Sequence, residues 1–157
     1  MKKIVVLLII VLLCTIVIFP ITGETQNEIK HYSVIITLYP YETWVNKEKT
    51  PEYGSFLLDG RLLLSSSFFK ENYPFKITEE DSSTKMTLSL SHRDTEMLFF
   101  LNNTSVIVNG IEKEIDCFPF NSRDGTWLLP VRFIFETLGG NVGWNAETRE
   151  ITVEIDL

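Results

Sequence analysis

Histidine and cysteine are scarce among the 157 residues, and the side chains able to carry out chemistry form no converging set. The histidines are His31 and His92; the cysteines are Cys14 and Cys117. A tight copper or zinc site needs three or four imidazole, thiolate or carboxylate ligands held together. No spacing here brings a third ligand or a thiol to either histidine. His31 opens a β-rich run and His92 stands in a His-Arg-Asp turn, so both read as satisfied surface residues. No metal and no cofactor is expected. Ser65, Ser66 and Ser67 offer hydroxyls, but a serine nucleophile needs a base beside it and no such motif surrounds them. That run reads instead as the worn start of a short helix. With no acid, base and nucleophile to name, the chain is not read as an enzyme.

Two groups remain that could bind rather than react. Arg132 and Glu136 are four apart on a predicted helix, close enough to pair, though arginine before glutamate is the weaker order. Their expected role is structural, as an ion pair or through an Arg132 bond to a carbonyl of the Asp124-Gly125 loop. Trp127 and Trp144 form, with Arg132, the possible binding surface. Tryptophan is also the residue that closes a small core, and core membership is the first expectation for both.

These residues are presented by an exported part. Lys2 and Lys3 precede an apolar run over residues 4–21, and TGETQNE follows. That pattern is a secretory signal with cleavage after Gly23, or an uncleaved membrane anchor. Either places the remainder outside the cell or on the outer face of the cytoplasmic membrane, with the N-terminal segment engaging the membrane at least during export. Cys14 follows the bulky Leu13, which argues against lipid attachment there. Cys117 is then the only exported cysteine; it has no disulfide partner and reads as a small buried hydrophobe. Removing Lys2 and Lys3 takes the formal charge from −7 to −9, which argues against nucleic acid and anionic lipid as partners.

The elements follow from periodicity and turn chemistry. Residues 24–30 read as a polar linker, and strands are expected in 31–39 and 41–45. Asp59-Gly60 turns one hairpin, and residues 75–91 form another, returning on Met86, Leu88 and Leu90. Residues 95–103 supply a strand that is apolar on both faces, as a central position requires. Asn109-Gly110 is the preferred pair for a two-residue turn with positive φ at both positions. Pro130 opens a helix without losing a hydrogen bond, Val131, Ile134, Phe135 and Leu138 make one apolar stripe, and Gly139 closes it. The final residues alternate Ile151, Val153 and Ile155 against acids.

Sliding the chain by 65 residues sets Asp59-Gly60 on Asp124-Gly125, Leu63-Leu64 on Leu128-Leu129, and Phe68 on Phe133. Ser65 then stands for Pro130, Ser67 for Arg132 and Glu79 for Trp144. The expected fold is α+β: antiparallel β-hairpins packed around one short helix in each of two pseudo-repeats, the first degraded. Residues 31–101 would be that first copy and 102–157 the second, with the second as the stable part. Leu138 would accordingly matter more than Tyr73, its counterpart.

The run VNG, DGTWLLPVRFIFETLGGNVGW and the closing hairpin resemble the copper amine oxidase N-terminal-like domain. The residues that carry the likeness are Asn109-Gly110, Pro119, Pro130, Arg132, Glu136, Leu138-Gly139, Val142 and Trp144. The resemblance implies a small α+β module, often tandem, of exported Gram-positive proteins, and an appendage rather than a catalytic domain. The function it implies is a non-catalytic exported or envelope-associated module acting on an unknown protein or a cell-wall component. The alternative is a soluble peptide- or glycan-binding or inhibitory module, working through a free sheet edge or exposed aromatics.

Overall fold

The computed structural model describes residues 29–38, 41–82 and 85–157. The export segment 1–23, most of the 24–30 linker, Cys14, Pro40 and the side chain of Met86 lie outside the described residues. The chain is an α+β fold of antiparallel sheets with two short helices. One five-stranded sheet runs β13 (Asn141–Asn145), β14 (Glu150–Asp156), β1 (His31–Leu38), β2 (Tyr41–Val45), β3 (Glu48–Lys49). A second runs β6 (Lys76–Ser82), β7 (Lys85–His92), β8 (Thr95–Phe100), β9 (Ser105–Val108), β10 (Ile111–Glu114). A four-stranded sheet runs β4 (Ser55–Leu58), β5 (Arg61–Ser65), β12 (Trp127–Pro130), β11 (Phe120–Asn121). Helices α1 (Ser66–Asn72) and α2 (Val131–Thr137) follow directly from β5 and β12.

Strand order and register repeat in a regular way. The β5–β12 pair sets Leu64 opposite Leu129, and α1 and α2 occupy positions 65 apart. Each five-stranded sheet combines the last two strands of one part of the chain with the first three of the other. Turn geometry repeats too. Asn109 and Gly110 both take positive φ (49° and 78°), as the sequence predicts, and Asp59-Gly60 does the same at 48° and 77°. Asn46 and Lys47 do so as well, at 52° and 70°, without a glycine. The Asn46 side chain accepts from the Ser33 amide at 3.0 Å, and Asn109 accepts from the Glu96 amide at 2.7 Å. Asparagine tolerates the left-handed region and bonds backbone locally, so Asn-Lys can turn where glycine is missing.

The core explains why the strands hold together. Leu62, Leu64, Trp127 and Leu129 of the four-stranded sheet share one buried cluster with Val34, Ile36, Val153 and Ile155 of one large sheet and Leu88, Leu90, Met97 and Phe99 of the other. Both helices contribute, through Phe68, Phe69, Ile134 and Phe135. The opposite face of the small sheet carries Leu63 and Leu128, closed over by Cys117 with Leu58 and Phe120 at its border. The β8 strand is central in its sheet, and Phe99 and Phe100 on its two faces are both buried. That is the covered position its apolar run predicts.

The two helices are stopped by different chemistry, and here the sequence expectation is corrected. Ser65 caps α1, its hydroxyl accepting from the Phe68 amide at 3.4 Å, and Asn72 Nδ2 donates to the Phe68 carbonyl at 2.9 Å. Pro74 follows, and the residue before a proline is pushed out of helical geometry. Thus α1 carries a side-chain cap while Pro130 supplies none to α2. For α2, Gly139 at φ +86° donates to the Glu136 carbonyl (3.1 Å) and Gly140 to that of Phe135 (2.8 Å). This is the paired termination that a left-handed glycine permits. The helix read as degraded is as well delimited as the other.

Candidate functional site

The sequence-singled residues divide into two environments. Trp127 lies on β12 with 1% of its surface exposed, so it belongs to the core and is no ligand platform. Trp144 is 50% exposed, which corrects the expectation of core membership for it. Its position on β13 accounts for the difference. Val142, two residues earlier on the same face, is buried and sits opposite Val153. Trp144 sits one step further out, opposite the half-buried Ile151, at the end of the strand.

There it lines a cavity of about 80 Å³. The floor is apolar, with Leu62, Val131, Val142 and Cys117 all buried. The rim carries two guanidiniums. Arg61, next to the Asp59-Gly60 turn, bonds Asp116 at 2.5 Å. Arg132, on the first turn of α2, bonds Glu136 at 3.1 Å. All four charged side chains of these pairs are roughly half exposed, so each pair contributes little to stability. Arg61 and Asp116 have no distinguishing motif and were missed in the sequence. They are brought to the cavity from elements 55 residues apart. Cys117 is buried, and burial, followed by the neighbouring Asp116 carboxylate, pushes its thiol up from the ordinary range. That makes it less reactive, as a small core hydrophobe should be.

The alternative role given to Arg132, pinning the Asp124-Gly125 loop, is not found. That loop holds itself: the Asp124 carboxylate accepts from the Ser122 hydroxyl and from the Thr126 amide, and Ser122 N donates to the Thr126 carbonyl at 2.9 Å. Those bonds hold the Asp124 carboxyl below its usual range, with the Ser122 contribution largest. Asn109, Gly110, Pro130 and Gly139 take the structural roles expected of them in turns and helix limits.

The histidines lie apart from this cavity. His31 Nδ1 meets Asp156 at 2.7 Å and Nε2 meets Glu154 at 2.8 Å, bridging β1 to β14 on the surface. The ring uses opposite nitrogens for the two carboxylates, so the three groups do not converge on one point. These bonds raise the His31 pKa above 6.5, Asp156 first and Glu154 second. A folded-state value above the unfolded one gives stability that is complete at pH below the unfolded value and lost as pH rises through the folded one. The melting-temperature advantage of wild type over His31→Gln should therefore be largest in acid and fade toward alkaline pH. A difference that stays constant between about pH 5 and 9 would mean that the bridge is not proton-linked. His92 packs on Phe75 at 5.7 Å and its Nδ1 lies 3.4 Å from the Pro74 carbonyl oxygen. Among the described residues no group of three histidine, cysteine or acidic side chains is placed to hold a metal ion.

Comparison with protein families matches residues 44–155 to the copper amine oxidase N-terminal domain. The matched span starts within β2 and ends within β14, taking in both helices and strands of all three sheets. No curated protein and no solved structure matches the chain. With well over half of its residues matched, the chain belongs to the copper amine oxidase N-terminal domain family, and like that part of the oxidases it is a non-enzymatic module.

Proposed function

We propose that this chain is an exported contact module, attached to or released from the outer face of the cytoplasmic membrane, that acts by binding a protein or a cell-wall component. The observation that carries this is the apolar run over residues 4–21, led by Lys2 and Lys3 and followed by an acidic remainder with a large core. The same acidic balance disfavours nucleic acid. Protease added to intact, wall-stripped cells should degrade the folded part. Protection under conditions that spare a cytoplasmic marker but strip known surface proteins would sink the location.

A second reading, a soluble module that recognises a peptide or a glycan, is favoured by the half-exposed Trp144 at its cavity. The first copy and the second are read as products of a duplication, supported by the 65-residue offset between the helices and the Leu64–Leu129 pairing. The sheet orders favour a division at Arg93-Asp94 rather than after residue 101, because β8 holds the place in its sheet that β1 holds in the other.

A further inference from the structure

Trp144, Arg61 and Arg132 are not required by the fold. Positions 65 residues earlier or later build the same strand, helix and hairpin without them. Thr126 stands for Arg61, Ser67 for Arg132, and Glu79 for Trp144. Glu79 turns to the hydroxyl of Ser66, the first residue of α1, at 3.4 Å. A depression that shares the counterparts of Arg61, Asp116, Pro130 and Arg132 is lined by Ser65, Ser67, Glu71, Tyr53, Asp124 and Thr126, with neither a tryptophan nor an arginine, and Glu79 lies outside it. One scaffold thus presents related places twice, once with neither indole nor guanidinium, once with an indole face and the guanidiniums of Arg61 and Arg132. Trp144 leaves half of its surface in water beside an apolar hollow, at a position where the other half of the chain carries a glutamate.

We propose that this cavity is a saccharide-binding site, taking a neutral, β-linked, gluco-configured pyranose. Equatorial hydroxyls leave the ring faces of such a sugar as C–H surface, which suits stacking on the exposed indole of Trp144. The hydroxyls lie in the ring plane and each both donates and accepts. The Arg61–Asp116 pair sets a planar donor and an acceptor side by side at the rim, and the Arg132 guanidinium adds further donors there, as vicinal hydroxyls require. Each guanidinium is already neutralised by a carboxylate, and the chain carries −7 overall, so an acidic sugar is disfavoured. The cavity admits the edge of a ring rather than a whole sugar, which places the site along a chain's side. This deepens the contact-module reading by naming a binding partner's chemistry.

The test uses the full chain in a non-glycosidic detergent, titrated separately with cellotetraose, chitotetraose and tetragalacturonate while the heat of binding is followed by calorimetry. Saturable binding of a neutral tetraose is expected. Trp144→Ala should weaken it about tenfold or more, with Trp144→Phe retaining part of the affinity. Arg132→Met should weaken it too, and Glu79→Ala, in the other half, should leave it unchanged. Circular dichroism checks that each variant is folded. No saturable response to either neutral sugar, undiminished binding by folded Trp144→Ala, or tighter binding of tetragalacturonate would overturn the proposal. A chain that binds none of the three yet is cleaved by external protease loses this inference alone. One that binds cellotetraose but is protected inside the cell loses the location instead.

Discussion

Tyr73→Ala is expected to destabilise the protein by about 3–5 kcal/mol, well beyond Leu138→Ala. Tyr73 is the residue that leaves α1, and 5% of its surface is exposed. Its ring is stacked on Phe75 at 5.1 Å and lies within 5.0–5.7 Å of Tyr32, Phe68 and Phe135. Those neighbours come from β1, from α1 and from α2, so the truncation would open a void between elements that cannot close independently. Leu138 is only partly buried at the edge of the same cluster, and its loss should cost less than about 2 kcal/mol. The ranking reverses what the two helices' signals in the sequence suggest. The Tyr73 hydroxyl has no hydrogen-bond partner among the described residues, and burial pushes its pKa up. Tyr73→Phe should therefore be neutral or stabilising by up to about 1 kcal/mol, since it removes a desolvated donor without opening a cavity. Guanidinium denaturation with unchanged slope decides the series. Equal losses from Tyr73→Ala and Leu138→Ala would contradict the picture of a core centred on α1's exit.

Residues 95–157 alone should not fold as a monomer, although they contain the better match to the family pattern. Their β13 and β14 would lose β1, which pairs with β14 over seven residues from His31–Asp156 to Thr37–Glu150. Their β8 would lose β7, its partner from Thr87–Phe100 to His92–Thr95. Both exposed edges would be apolar, with Val153 and Phe99 among the residues uncovered. The four-stranded sheet would be cut at Leu64–Leu129. Because the buried cluster runs through all three sheets, the full chain should melt in a single transition. Adding residues 29–94 to 95–157 should restore the circular dichroism and dispersed amide spectrum of the whole. A monomeric 95–157 with a dispersed spectrum at low concentration would show that the two parts fold separately. A dimer of that fragment would fit, because β8 occupies the place of β1 and a second copy could supply it.

Local signals in the sequence carry much of the fold. The glycine at 139 marked the end of α2 because few other residues take φ near +86° without strain. Asn109-Gly110 marked a hairpin for the same reason. The α1 helix was harder to see because its stops are a serine hydroxyl and Pro74, signals spread over residues that serve many other purposes. Ser65 in the middle of three serines reads as lost helix chemistry, yet its position directly after β5 makes it a cap. The Asn46-Lys47 turn was missed because lysine, unlike glycine, does not advertise positive φ.

The amino-acid order by itself determined most of the turns, the strand alternation, the extent of α2, the family and the absence of any histidine-rich ligand spacing. These depend on contacts within a few residues, where backbone sterics and side-chain period leave little choice. Tertiary structure decided which tryptophan is core and which is surface, for Trp127 and Trp144 each have an aliphatic residue within two positions. Trp127 lies within a strand covered by both helices' cluster, whereas Trp144 stands one residue pair beyond the last covered position of β13. It also decided that Arg61 and Asp116 meet beside Arg132, and that β1 closes onto β14. Such pairings are set by how sheets far apart in the chain bury a common core, and local periodicity holds no information about that choice.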